Sequence, residues 1–215
     1  MKRYYMLNKP RGLVSACTDA RCPTVLSCFP EEEREGLFHV GRLDKDTEGL
    51  LLVTDDGDLC YRLMKPEYKV EKTYYFIALG ALTEEQARQM ESGVSIYNDK
   101  EELTRPARLT VLATGKRRDI PHLLSYDELK RNDRRAGFPT LTGMLTITEG
   151  KKHQVRRMLK AFGCHIVYLK RLSIGQITLD ESLGLGEYRP LTPRELASVG
   201  VDVDEFDKNK GGDAD

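Results

Sequence analysis

Three carboxylates stand at alternate positions in the segment Gly41-Arg42-Leu43-Asp44-Lys45-Asp46-Thr47-Glu48-Gly49, directly before the apolar run Leu50-Leu51-Leu52-Val53. Acids beside sequence bound for a core admit three accounts. Asp and Thr side chains bond their own backbone and shape turns. Alternating acids also ligate calcium, and Asp44, Asp46, Glu48, Gly49 and Asp55 fall where an EF-hand places ligands and its glycine. That match is poor, because the closing position is Asp55 rather than a bidentate Glu and the second half of the loop reads as a strand. The third account is an activated carboxylate: Asp held ionised in a dry pocket is a competent nucleophile toward a sugar C1′ or an electrophilic ring. Desolvation would protonate such a group, whereas a nearby guanidinium keeps it charged.

A source of guanidinium lies downstream. Residues 150–171 carry seven bases (Lys151, Lys152, Arg156, Arg157, Lys160, Lys170, Arg171) and no acid, while residues 172–215 carry ten acids against four bases. From His153 to Phe162 the apolar residues Val155, Met158, Leu159 and Phe162 recur at helical spacing, and Arg156, Arg157 and Lys160 stand off that stripe. A solvated helix face is the bland reading, but ordinary surface helices intersperse their signs, so phosphate contact is the competing one. Tyr74 and Tyr75 adjoin in a strand-like run, so one points into the core and the other away. Either can simply pack, or one can stack on a flipped base and join in proton transfer.

Positioning these residues takes a sizeable scaffold, and 215 residues at 40% hydrophobic suffice for one core. One domain over residues 1–200 is expected, made of two closely packed halves, with a polar, disordered tail at 204–215. Strands are expected at Tyr4–Leu7, Phe38–Val40, Leu50–Thr54, Lys72–Leu79, Thr104–Leu112, Gly143–Thr148, Cys164–Leu169 and Ile174–Leu179. Asn8-Lys9-Pro10-Arg11-Gly12 reads as a turn bearing two cations. A helix-like stretch spans about Val25 to Arg34, and short helical turns run over Leu59–Met64. Thr83 with Gln86, and Thr192 with Pro193 and Glu195, have the form of capping boxes. Residues 114–140 show mixed charge and little periodicity and read mostly as an excursion from the core. Strands adjoin without regular βαβ alternation, which predicts an α+β domain around a mostly antiparallel sheet flanked by helices.

Composition excludes several classes. No eighteen apolar residues run together and no signal-like segment opens the chain, so a soluble cytoplasmic protein is expected, with no membrane partner. Five cysteines without a Cys-x-x-Cys pair predict free, mostly buried thiols and no metal site. A formal net charge of zero argues against indiscriminate coating of nucleic acid.

Taken in order, Asn8-Lys9-Pro10, Gly41 to Leu51, Lys72-Thr73-Tyr74, Glu149 to Met158 and Gly186-Glu187-Tyr188-Arg189-Pro190-Leu191-Thr192 resemble the RsuA branch of the pseudouridine synthases, over about residues 4–197. The resemblance implies the pseudouridine synthase catalytic fold, with an active-site cleft across the sheet and no cofactor. The implied reaction detaches uracil from C1′ of a ribosomal RNA uridine, turns it and rejoins it through C5. Asp44 would be the nucleophile, Tyr74 the tyrosine that stacks on the base and helps remove its C5 proton, and Arg156 the cation paired with Asp44. Arg42 would hold the target flipped out, and Lys9, Lys151, Lys152, His153, Gln154, Arg157 and Lys160 would contact RNA. Ribosomal RNA of the small subunit, in an assembly intermediate, is the expected partner, and a monomer the expected state. Most members carry an N-terminal S4-like RNA-binding domain that this sequence does not display. Lys116, Arg117, Arg118, Lys130, Arg131, Arg134 and Arg135 in the excursion could replace part of its anchoring. The competing readings are a noncatalytic RNA-binding or ribosome-assembly module, a large-subunit substrate, and a glycosidase or nucleosidase using Asp46 or Glu48 as a paired acid.

Overall fold

A computed structural model describes residues 2–96, 103–120 and 137–202. The chain divides after Val70 and before Ser173: the two outer segments form one compact unit and Glu71–Leu172 forms another. Elements are numbered in chain order.

In the first unit β1 (Tyr4–Lys9) is central. It pairs antiparallel with β3 (Glu48–Thr54), from Tyr4 opposite Thr54 to Lys9 opposite Gly49, and on its other edge with the short strand Tyr188–Pro190. β2 (Phe38–Val40) adds to the far side of β3. Both faces of β3 are covered, so all positions after Glu48 are buried and the sequence reads as a continuous apolar run rather than an alternation. One face packs Met6, Leu50 and Leu52 against Leu59 and Leu63 of α1 (Gly57–Met64) and Leu196 of the C-terminal helix. Elsewhere in this unit Tyr5, Phe29 and Tyr188 form an aromatic cluster with ring centres 4.1 to 5.5 Å apart. The expected helix over Val25–Arg34 is instead two three-ten turns, Val25–Cys28 and Glu31–Glu33. Pro30 holds Phe29 extended and lacks the N–H that a continuing helix needs. Asn8 and Lys9, expected in a turn, belong to β1, which turns only at Arg11-Gly12.

In the second unit β4 (Lys72–Leu79) pairs antiparallel with β6 (Pro139–Ile147) along its whole length, and β6 pairs with β5 (Arg108–Lys116). Phe76 crosses Gly143 so closely that a Cβ there would lie 2.9 Å from the ring and 2.7 Å from the Thr110 carbonyl oxygen. α2 (Glu84–Ser92) opens on the Thr83–Gln86 capping box and stops at Gly93. α3 (Gln154–Ala161) buries Val155, Met158 and Leu159. β7 (His165–Ile174) is one ten-residue strand whose last two residues already belong to the first unit, and the two-residue β8 (Ile177–Thr178) of that first unit follows, where two equal strands were expected. The polar stretch Lys170-Arg171 disguises the continuity, for Arg171 keeps the inward alternation of Leu169 with a cation in place of an apolar residue.

The excursion is shorter than expected. Thr114, Gly115 and Lys116 pair with Leu141, Thr140 and Pro139 as the end of a hairpin, and Arg117 is buried. Lys130, Arg131, Arg134 and Arg135, like the tail beyond residue 202, lie outside the described residues. β9 is the strand Tyr188–Pro190, and α4 (Pro193–Ser198) opens on the expected capping box of Thr192 and Glu195. The five cysteines are free, but Cys164 alone is fully buried, Cys17 being exposed and the others half-buried. Among the described residues no helix is long and apolar enough to cross a membrane, and no three His, Cys, Asp or Glu side chains cluster as a metal would require.

Candidate active site

The loop carrying Asp44 is fixed through its backbone. Its entry is Gly41 (φ +69°), where a Cβ would overlap the Met64 sulfur of α1. Ser15 then closes a reciprocal pair with Leu43, its hydroxyl donating to the carbonyl at 2.9 Å and accepting from the N–H at 3.0 Å. Thr47 N–H returns to the Asp44 carbonyl at 3.1 Å, and Gly12 N–H donates to the Lys45 carbonyl at 2.8 Å. At the centre is Lys9, with no exposed surface. Its ammonium donates to the carbonyl oxygens of Pro10 (2.9 Å), Asp44 (3.2 Å), Lys45 (3.5 Å) and Thr47 (2.9 Å). Burial pushes this ammonium down to about 8, against the opposing pull of the Asp46 and Asp44 carboxylates. Lys9 is therefore a clamp on the loop and has no surface to offer RNA, contrary to the contact expected of it.

The three acids separate by environment. Asp44 is half-buried, Asp46 is exposed, and Glu48 pairs with Arg11 at 3.4 Å as β3 begins. The calcium account fails on geometry: Glu48 already lies in a strand, and Asp55 receives the Arg3 N–H and Nε–H at 2.8 and 2.9 Å. Arg42 is exposed on the same loop, and Lys45 donates to the Cys22 sulfur at 3.2 Å.

In the other unit, β4 turns Tyr74 inward to 8% exposure and Tyr75 outward, edge-on to Tyr168 at 6.0 Å. Two cations share the surroundings of Tyr74. Lys72 lies two residues earlier on the same face, and the Arg171 guanidinium carbon is 6.0 Å from the Tyr74 ring centre. By sequence Lys72 is only part of a strand and Arg171 only part of a basic run. The inward alternation of Lys72, Tyr74 and Phe76 is a signal for the face of Lys72 alone, and Arg171 has none.

The basic helix sorts its residues by depth. Arg156 and Arg157 are half-buried, Arg156 donating to the Ile166 carbonyl at 3.3 Å, and Lys152, His153 and Lys160 are exposed. Gln154, expected at RNA, is 4% exposed and ties the approach to the helix together. Its amide donates to Glu149 at 2.8 Å and its carbonyl accepts from Lys151 N–H at 2.9 Å. Lys151 is half-buried and reaches the Leu103 carbonyl at 3.3 Å. Asp44 thus belongs to the first unit, and Tyr74 and Arg156 to the second.

Comparison with known proteins gives these residues a context. The family model described as RNA pseudouridylate synthase matches residues 3–161. Ribosomal small subunit pseudouridine synthase A of Yersinia pestis is 42% identical over 93% of this chain and 73% of its own length. The protein of the same name from Escherichia coli K12 is 42% identical over 92% of this chain and 74% of its own length. The uncharacterized RNA pseudouridine synthase YtzG of Bacillus subtilis is 44% identical over 90% of this chain and 71% of its own. The crystal structure of a pseudouridylate synthase superposes with a TM-score of 0.76 at 35% identity, covering 93% of this chain and 74% of the other. Human RNA pseudouridylate synthase domain containing 1 shares the fold, with a TM-score of 0.51 at 15% identity.

Proposed function

Because this chain belongs to the RNA pseudouridylate synthase family, a family of isomerases, we propose that it converts a uridine of small-subunit ribosomal RNA into pseudouridine, with Asp44 as the nucleophile. The observation that carries this reading is the clamped loop: four carbonyls bound by buried Lys9 fix the backbone around a carboxylate that is itself only half-buried. A reacting group held in advance loses little freedom when its target arrives, and that is where much of the rate enhancement of such sites originates.

In this reading Asp44 attacks either C1′ or the uracil ring, Tyr74 stacks on the extruded base and helps take its C5 proton, and Arg156 is the cation that partners Asp44. Arg42 helps hold the target flipped out, while Lys151, Lys152, His153, Arg157 and Lys160 meet phosphates. Lys9 and Gln154 keep the two approaches in shape and do not touch RNA. The chain acts as a monomer, in the cytoplasm, on an assembly intermediate of the small subunit. No step calls for a cofactor.

The test is release of tritium from C5 of uridine in unmodified ribosomal RNA, free and subunit-assembled. Wild type is expected to release one equivalent per modified site and Asp44→Asn none above background. Release persisting in Asp44→Asn, or absent from wild type with both substrates, rejects the mechanism. Failure of the wild type alongside tight RNA binding would favour the noncatalytic module, and mapping the modified nucleotide distinguishes small- from large-subunit RNA.

A further inference from the structure

Tyr74 does not stand alone on its face of β4. Lys72 is 6% exposed and Arg171 is 2% exposed, with its guanidinium above the Tyr74 ring. Burying one cation is unfavourable, and burying two of like sign near each other is more so. Burial, with the Arg171 charge behind it, pushes the Lys72 ammonium down to about 8. Farther along the same face the strand uses Phe76 and Ala78, both fully buried. Methionine or leucine could fill the positions of Lys72 and Arg171 without bringing charge inside. A lysine and an arginine buried together beside an aromatic ring are a mark of chemistry rather than of packing.

We propose that Lys72 and Arg171 hold the negative charge that develops on the uracil ring during isomerisation; this rests on the reading of Tyr74 as the ring that receives the base. When the Asp44 carboxylate bonds to C1′, the N1–C1′ pair departs on uracil as an anion delocalised over N1, O2 and O4. The C5–C1′ bond then forms as the Asp44 oxygen leaves with its pair, C5 loses its proton and N1 gains one, so nothing is added or lost overall. When the carboxylate adds to C6 instead, the C5–C6 π pair moves toward C4 and places the charge on O4. On either route the charge of the carboxylate passes to the carbonyl oxygens of the base. A lysine and an arginine held in a water-poor site stabilise it there, as preorganised donors do for an oxyanion.

The experiment measures single-turnover tritium release by the full chain for wild type, Asp44→Asn, Lys72→Met, Arg171→Gln, Lys72→Arg and Arg171→Lys, with thermal unfolding and ribosomal RNA affinity recorded for each. The neutral variants are expected to slow release about 100-fold or more while leaving RNA affinity unchanged. The charge-keeping variants should recover at least about tenfold of that loss, which a purely steric role would not give. Should Arg171→Gln not fold, Lys72→Met, which keeps the length of the side chain, carries the test. Wild-type rates in a folded neutral variant, with Asp44→Asn silent, overturn the assignment and leave the enzyme intact as an enzyme. An acid limb of the rate–pH profile that moves upward in the neutral variants also overturns it, since the two cations would then serve the carboxylate. A wild type that releases nothing overturns the enzyme and this assignment together.

Discussion

At the scale of single residues, the largest departure from expectation is Lys9. A lysine in an Asn-Lys-Pro-Arg-Gly turn reads as a solvated cation, and nothing in its neighbours says that its ammonium turns inward to collect four carbonyl oxygens. Removing it takes a donor from each of them; the Asp44 and Lys45 carbonyls keep the Thr47 and Gly12 N–H groups, so the cost, on the order of 1 kcal/mol or more for each unsatisfied group, falls mainly on the Pro10 and Thr47 carbonyls. Lys9→Met is therefore expected to lower stability by about 3 kcal/mol in urea unfolding. Its folded fraction should release tritium slowly while RNA affinity and its salt dependence stay at wild-type values. A lysine that met phosphate would behave in the opposite way, its removal weakening affinity and flattening the salt slope. Spacing does not single out Asp44 from Asp46 and Glu48, which only the family resemblance does, but the acidic loop that carries them is legible in the sequence. Lys72 and Arg171 are not, because a buried cation and a surface cation look alike in sequence and only the face they occupy distinguishes them.

At the scale of elements, α3 and its approach show which part of a basic segment is free to meet a ligand. The apolar stripe at Val155, Met158 and Leu159 sets the orientation of the helix, and that much is readable from spacing. The burial of Gln154 is not, since it depends on Glu149, a residue of the preceding turn, and on the Lys151 N–H. The exposed Lys152 and Lys160 remain the natural partners for phosphate. Changing both to Ala is expected to weaken ribosomal RNA binding and reduce the log–log salt slope by about one for each lysine that meets a phosphate, with the melting temperature unchanged. An unchanged slope would remove the helix from the RNA-binding surface. β4 has its expected bounds, but β5 and β6, expected at Thr104–Leu112 and Gly143–Thr148, run Arg108–Lys116 and Pro139–Ile147, and in the Val25–Arg34 region the apolar spacing suggests a helix that Pro30 forbids.

At the scale of the whole molecule, the chain divides into two compact units, and its course through them is hidden in the sequence. The first unit is built from both ends of the chain, and Ser173 onward returns to it by way of β7, whose sequence looks like two separate pieces. Long-range pairing of this kind leaves no local trace: β9 is three residues long and gains its place only from β1. The returning segment is tied within its unit by Arg189, which bonds Asp180 at 2.7 Å and Glu195 through both terminal nitrogens at 2.9 and 2.8 Å. The Ser182 hydroxyl and Arg189 lower the Asp180 carboxyl to about 2, and Arg189 lowers that of Glu195. Carboxyls depressed by folding contribute stability above their unfolded values, and that contribution is lost as pH falls through the folded ones. The wild type is accordingly expected to lose stability from about pH 4 toward pH 2 more steeply than Arg189→Met, measured by urea midpoints across that range. Parallel curves would show that the network adds nothing to acid resistance.

The Lys9 clamp also bears on how the site can vary. It grips carbonyl oxygens, which every residue type presents alike, so the path of the backbone from Asp44 to Thr47 does not depend on which side chains the loop carries. The scaffold around Asp44 is in that sense blind to its own sequence. Substitutions at Lys45 or Asp46 can retune charge and fit around the target while the carboxylate stays where the fold has put it.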